Sequence, residues 1–199
     1  MKKIVVLVSG GGTNLQALID AEKKGEIENG KITCVISSNP EAYALERAEK
    51  VGINTAVVDK KTYSSRSDFD KAICEVIENE NPDLIVFAGF MYILSEEITK
   101  KYPRNIINVH PSLIPSFCGD GFYGLRVHKA ALDYGVKLTG ATVHFVNEVT
   151  DGGEIILQKA VEVKKSDTPE TLQRRVMEQA EWEILPKAVS LFCSGGLNQ

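Results

Sequence analysis

An α/β fold is predicted: a mainly parallel sheet with helices on both faces and an antiparallel C-terminal strand pair. Three observations predict it. Short β-rich apolar runs alternate with amphipathic stretches through the first half of the chain. The first of those runs is apolar throughout, as a strand covered on both faces must be. Late in the chain two β-rich runs stand close enough to pair antiparallel.

Ile4 to Val8 is the first strand, closed by Ser9-Gly10-Gly11-Gly12. Apolar residues at Leu15, Leu18, Ile19 and Ala21 then mark a helix, with Asn14 as its cap. The alternation continues with strand Ile32 to Ile36, helix Ala42 to Val51, strand Thr55 to Val58, helix Asp68 to Ile77 and strand Leu84 to Phe87. A short helix at Glu96 to Lys101 precedes a fifth strand, Ile106 to Val109. Pro111 to Gly124 reads as a long loop, and loops of that length in compact domains are often functional lids. A helix over Val127 to Tyr134 follows, then the strand pair Ala141 to Val146 and Glu154 to Val163, split by Asn147 to Gly153. Thr168-Pro169-Glu170 opens a last helix reaching Phe192, which Pro186 should kink or divide. The arrangement is Rossmann-like, and such sheets gather ligands at the carboxyl ends of their strands.

The 199 residues, 43% hydrophobic and 25% charged, suit one domain with a real core and exclude collagen-like, disordered and disulfide-scaffold classes. With 23 Lys and Arg against 27 Asp and Glu and no dense basic cluster, no nucleic-acid partner is expected, and any anion must be held by local backbone dipoles. The four cysteines lie far apart without metal-ligand pairs, so no metal is expected. No apolar stretch approaches the ~20 residues that span a bilayer, and the run after Met1-Lys2-Lys3 is too short for a signal peptide. A reduced, cytoplasmic protein without a membrane partner is expected.

Two stretches carry chemistry. Ser9-Gly10-Gly11-Gly12-Thr13-Asn14 sits where a strand meets a helix, so its N–H groups and the helix dipole converge on an anion such as phosphate. It departs from the dinucleotide fingerprint, because Leu15 stands at the third glycine position, and it lacks the P-loop lysine. A glycine-rich turn without a ligand is the bland alternative. Asn108 and His110 share one face of the fifth strand, an amide donor beside an imidazole, which suits an oxyanion and a moving proton. A buried polar pair satisfied by loop backbone is the alternative there. Asp151, in Asp151-Gly152-Gly153, can orient His110 if the loops meet, or simply form a hairpin turn. His144 reads as a satisfied core histidine and His128 as a surface helix residue.

Together with Ala88-Gly89-Phe90-Met91-Tyr92-Ile93-Leu94, Ile107-Asn108-Val109-His110-Pro111-Ser112-Leu113-Ile114-Pro115 and Val143-His144-Phe145-Val146, these stretches closely resemble the phosphoribosylglycinamide formyltransferases, the glycinamide ribonucleotide transformylases of purine biosynthesis. The resemblance runs from Lys3 to about Ala188. The Asn-x-His-Pro-Ser-Leu-x-Pro motif belongs to folate-dependent formyltransferases generally, and the Ser-Gly-x-Gly-Thr-Asn loop narrows it to the ribonucleotide enzymes.

That resemblance implies formyl transfer from 10-formyltetrahydrofolate, a cosubstrate, to the amine of glycinamide ribonucleotide, without metal. It implies Asn108, His110 and Asp151 as the catalytic trio, and Gly12, Thr13 and Asn14 at the substrate phosphate with Arg66 nearby. Glu181 would be a further substrate contact. The folate would lie against Met91, Tyr92, Ile93 and Leu94, with Asn108 and the loop residues Asn147, Glu148 and Asp151. The expected organisation is a single domain over 1–199, with a phosphate-binding half (1–100), a folate-binding and catalytic half (101–193) and a tail (194–199), as monomer or homodimer. A formyltetrahydrofolate hydrolase or another folate-dependent formyltransferase is the alternative use of such a site. Three features depart from the family pattern. Tyr92 stands where many members have arginine. The loop Phe117 to Gly124 is several residues longer than usual. Glu181-Trp182 replaces Glu-His, with the register slipping by one when counted from Thr168 rather than from Pro186.

Overall fold

The strands lie at β1 (Lys2–Val8), β2 (Gly30–Ser37), β3 (Asn54–Val57), β4 (Leu84–Phe87), β5 (Ile106–His110), β6 (Leu138–Phe145) and β7 (Ile155–Glu162) in a computed structural model that describes residues 1–197. The helices are α1 (Thr13–Lys23), α2 (Tyr43–Glu49), α3 (Arg66–Glu80), α4 (Glu96–Lys101), α5 (Leu125–Tyr134), α6 (Pro169–Val176) and α7 (Trp182–Ser194), with a π-helical turn at Met177–Glu181 joining the last two. One seven-stranded sheet has the order β3-β2-β1-β4-β5-β6-β7. Strands β1 to β5 pair parallel, and β6 and β7 add on antiparallel, as the strand patterning requires.

The unbroken apolar run of β1 serves both faces of the sheet. Ile4, Val6 and Val8 point into one core with Leu15 and Leu18 of α1 and Leu185 and Val189 of α7. Val5 and Leu7 alternate to the other face, against Phe69, Ile73 and Ile77 of α3. The chain leaves β1 for opposite neighbours, β2 on one side and β4 on the other, which opens a crevice at the carboxyl ends of these strands.

Three expectations are corrected here. Asn14 does not cap α1: the helix begins at Thr13, Gly12 is its left-handed N-cap residue (φ 70°), and the Asn14 side chain turns inward. A Cβ at Gly12 would stand 2.6 Å from Ala44 Cβ, so only glycine allows both the dihedral and the close packing of α2. Pro186 does not divide the last helix, since it lies inside α7, and the departure from α geometry falls ahead of it at Met177–Glu181. The expected tail starts later: Ser194 still belongs to α7 and Leu197 packs on the core, while Asn198 and Gln199 lie outside the described residues. Among the described residues no helix is long and apolar enough to cross a membrane.

Candidate active site

Asn108 and His110 occupy alternate positions of β5, so both side chains leave the same face. The antiparallel register sets His144 of β6 directly opposite Asn108, and Thr142 opposite His110. Thr142 braces the loop after β5: its hydroxyl donates to Ser112 O (2.7 Å) and accepts from Ile114 N–H (3.1 Å). His110 is buried, and its Nε2 lies 2.9 Å from Phe117 O. A carbonyl only accepts, so Nε2 carries a hydrogen. Its Nδ1 lies 3.5 Å from Asp151 Oδ2.

Asp151 reaches the two imidazoles from the turn between β6 and β7. Its backbone is left-handed (φ 54°), a conformation aspartate tolerates better than most residues. The two glycines after it are required by space. A Cβ at Gly153 would stand 1.7 Å from Phe145 O, and one at Gly152 2.6 Å from a Val149 methyl. Asp151 Oδ2 also accepts from Gly119 N–H at 2.9 Å, and Thr150 Oγ1 donates to Asp120 Oδ1 at 3.2 Å. The long loop after Pro111 is thereby pinned to the Asp151 turn, and Gly119 to Gly124 form one wall of a cleft of about 650 Å³.

The rest of the lining comes from the end of β4 and the segment after it, from Asn14 of α1, and from α6 and the π turn. Asn14 donates from Nδ2 to Glu181 Oε2 at 2.7 Å, and both line the cleft beside Gln173 and Met177. Burial pushes the Glu181 carboxyl up to about 7, although the Asn14 hydrogen bond acts in the other direction. The π turn carries Glu181, and such a turn takes one extra residue into a helix without breaking it. The one-residue slip between Thr168 and Pro186 thus has a structural counterpart. The segment after β4 is tied at two points: Met91 N–H donates to Ser9 Oγ (3.0 Å), and Arg66 Nη2 donates to Ile93 O (2.7 Å). Tyr92 packs in a row of rings, 5.2 Å from Phe69 and 5.8 Å from Phe90 between centroids, and remains 37% exposed toward the cleft.

The cleft therefore brings together Asn108, His110, Asp151, Asn14, Glu181, Met91, Tyr92, Ile93, Leu94, Asn147 and Glu148. Other expected residues fall elsewhere. Thr13 faces a second groove between α1 and α7, with its hydroxyl 3.8 Å from Met177 Sδ. Gly12 is held against α2. Arg66 is committed to the Met91 to Leu94 segment and to Asp70, 3.8 Å away, rather than to the glycine loop. Arg47 sits at that loop instead, donating from Nε to Gly11 O (2.8 Å) and from Nη1 to Gln16 Oε1 (2.9 Å). No single-sequence signal marked it, because α2 reads as an ordinary amphipathic helix.

Of the two remaining histidines, His128 differs from expectation and His144 is the satisfied core histidine expected. His128 is fully buried beside the cleft with neither ring nitrogen hydrogen-bonded, and burial lowers its pKa to about 4, helped by the nearby His110 ring. Its spacing of three from the buried Ala131 was the available signal. His144 is buried as a core residue would be, yet its ring lines the cleft.

A model of the family described as formyl transferase matches residues 2–189. The trifunctional purine biosynthetic protein adenosine-3 of Gallus gallus is 47% identical over 195 residues, 98% of this chain and 19% of that protein. The chain thus spans about a fifth of the length of the trifunctional relatives it matches. The phosphoribosylglycinamide formyltransferase of Haemophilus influenzae is 43% identical, with 99% of this chain and 90% of that protein covered. The crystal structure of glycinamide ribonucleotide transformylase 1 from Symbiobacterium toebii superposes with a TM-score of 0.91 at 42% identity, covering 98% of this chain and 89% of that one.

Proposed function

The chain belongs to the formyl transferase family, and from that premise we propose that it transfers a formyl group from 10-formyltetrahydrofolate to the amine of glycinamide ribonucleotide, a step of purine biosynthesis. The observation that carries this reading is the meeting of Asn108, His110 and Asp151 in one cleft, with Asp151 Oδ2 3.5 Å from His110 Nδ1.

The neutral amine attacks the formyl carbon, forming the new C–N bond and a tetrahedral oxyanion. Asn108 is the donor to that oxyanion, and the His110 imidazole stands beside it with its Nε2–H held by Phe117 O. His110 Nε2–H donates to Phe117 O, and the Asp151 carboxylate stands 3.5 Å from Nδ1. Asp151 orients the ring and takes part in moving the proton from the attacking amine to N10 of the folate as the old C–N bond breaks. The free N–H groups of the first turn of α1 hold the substrate phosphate, Arg47 fixes the loop that carries them, and Asn14 and Glu181 meet the rest of that substrate. The folate lies along Met91 to Leu94 and the Asn147 to Asp151 loop, with Arg66 stiffening the first segment through Ile93 O. Both reactants are small molecules, brought together at the carboxyl ends of the strands, and their proximity supplies much of the rate.

The test is a two-substrate assay. Formylglycinamide ribonucleotide and deformylated folate should appear together, and only when the amine is present. Deformylation undiminished without the amine would assign hydrolysis instead. Asn108→Ala and Asp151→Ala should each lower kcat by on the order of 10²-fold with KM far less affected.

A further inference from the structure

We propose that His144 is a positioning residue for this transfer: its imidazole fixes which end of the Asn108 amide faces the reacting atoms. The inference rests on the reading of the cleft as a formyl-transfer site. An asparagine side chain has two nearly isosteric ends of opposite polarity, and rotation by half a turn exchanges them. An N–H toward the developing oxyanion stabilises it, whereas the carbonyl oxygen in the same place repels it. Something must therefore distinguish the two orientations before substrate arrives.

His144 does so through one chain of hydrogen bonds. Its ring is 1% exposed, and Nδ1 lies 2.8 Å from Phe145 O. That carbonyl can only accept, so Nδ1 carries a hydrogen, and the ring bearing that one hydrogen presents Nε2 as an acceptor. The register of β5 and β6 sets Asn108 directly across, and its Nδ2 lies 3.2 Å from Nε2. The other polar group near Nε2, Asp151 Oδ1, stands at 3.6 Å, beyond hydrogen-bond reach. The amide therefore gives one N–H to His144 and keeps the second N–H of the same nitrogen for the cleft that Asn108 lines. A backbone carbonyl of β6 is relayed through a rigid ring into the polarity of a catalytic amide on β5.

The experiment has one arm that needs no turnover. Long-range proton–nitrogen NMR correlations in the unliganded protein report each imidazole's tautomer. Hydrogen on Nδ1 and a bare Nε2 are expected for His144, and a proton found on Nε2 overturns the proposal. The second arm uses variants. His144→Leu, which removes the acceptor, should lower kcat by about 10-fold or more with KM within about threefold, and His144→Gln, which restores an acceptor near the Nε2 position, should recover most of that loss. The double variant Asn108→Ala/His144→Leu should be no slower than Asn108→Ala alone within about twofold, because the two residues act as one unit. Additive losses, or no recovery by glutamine, also overturn it. Absence of amine-dependent turnover in the unmodified protein would instead reject the formyl-transfer reading and leave the NMR arm to decide the role of His144.

Discussion

A buried imidazole with both nitrogens unpaired, as at His128, holds polar atoms out of water without protein partners. Such a group costs about 1–3 kcal/mol, and an apolar replacement of similar shape removes the cost. His128→Phe should accordingly raise the unfolding free energy in urea, and a loss of stability would show that the ring has partners. The gain should depend on pH with a definite sign. The folded histidine titrates at about 4, the unfolded one near ~6.5. Between those values the unfolded chain binds the extra proton, so the stability of the unmodified protein falls as the pH falls from ~6.5 toward 4. The phenylalanine variant lacks that term, and its advantage should widen from pH 7 to pH 5. At this scale the sequence was legible unevenly. Asn108 and His110 could be placed on one face because a strand repeats every two residues. Arg66 could not be placed, because an exposed arginine can reach several carbonyls and only the folded chain selects Ile93 O.

Elements carry the next level of constraint, and the hairpin between β6 and β7 shows it most sharply. The strand pair was readable from two nearby β-rich runs, but the need for glycine at 153 depends on how closely the returning chain passes Phe145 O. Gly153→Ala cannot be accommodated by a rotamer change, since the obstructing atom is backbone. Thermal unfolding of this variant should come at lower temperature by an amount matching at least about 1–3 kcal/mol. Its kcat should fall too, because Asp151 sits two residues away. Unchanged melting would mean that the turn is set some other way. The last helix was harder to read. Periodicity marks one long amphipathic run, and Pro186 is its visible interruption, yet a π turn is not encoded by any single residue. It falls where Ala180, Ile184, Leu185 and the Glu181 carboxyl are all buried.

On the scale of the whole molecule, the cleft is assembled from distant parts of the chain: Asn14 of α1, the end of β4 and the segment after it, and the π turn, together with β5, β6 and the Asp151 turn. A ligand seated there disfavours global unfolding by mass action. At about 100 times its Kd, either proposed substrate should add ~2.7 kcal/mol. For a chain of this size that raises Tm by roughly 5–10 °C, measurable by scanning calorimetry. No shift with either substrate would contradict the proposed occupancy of the cleft.

The sequence by itself determined the alternation of strand and helix, the double-faced core of β1, the antiparallel pair and the glycine-rich entry to α1, because each follows from periodicity and backbone sterics within a few residues. Tertiary structure alone decided that Arg47 rather than Arg66 braces the glycine loop, and that His144 meets Asn108 across two strands. Those outcomes depend on distances between segments far apart in the chain, and no local preference of a single residue specifies such a distance.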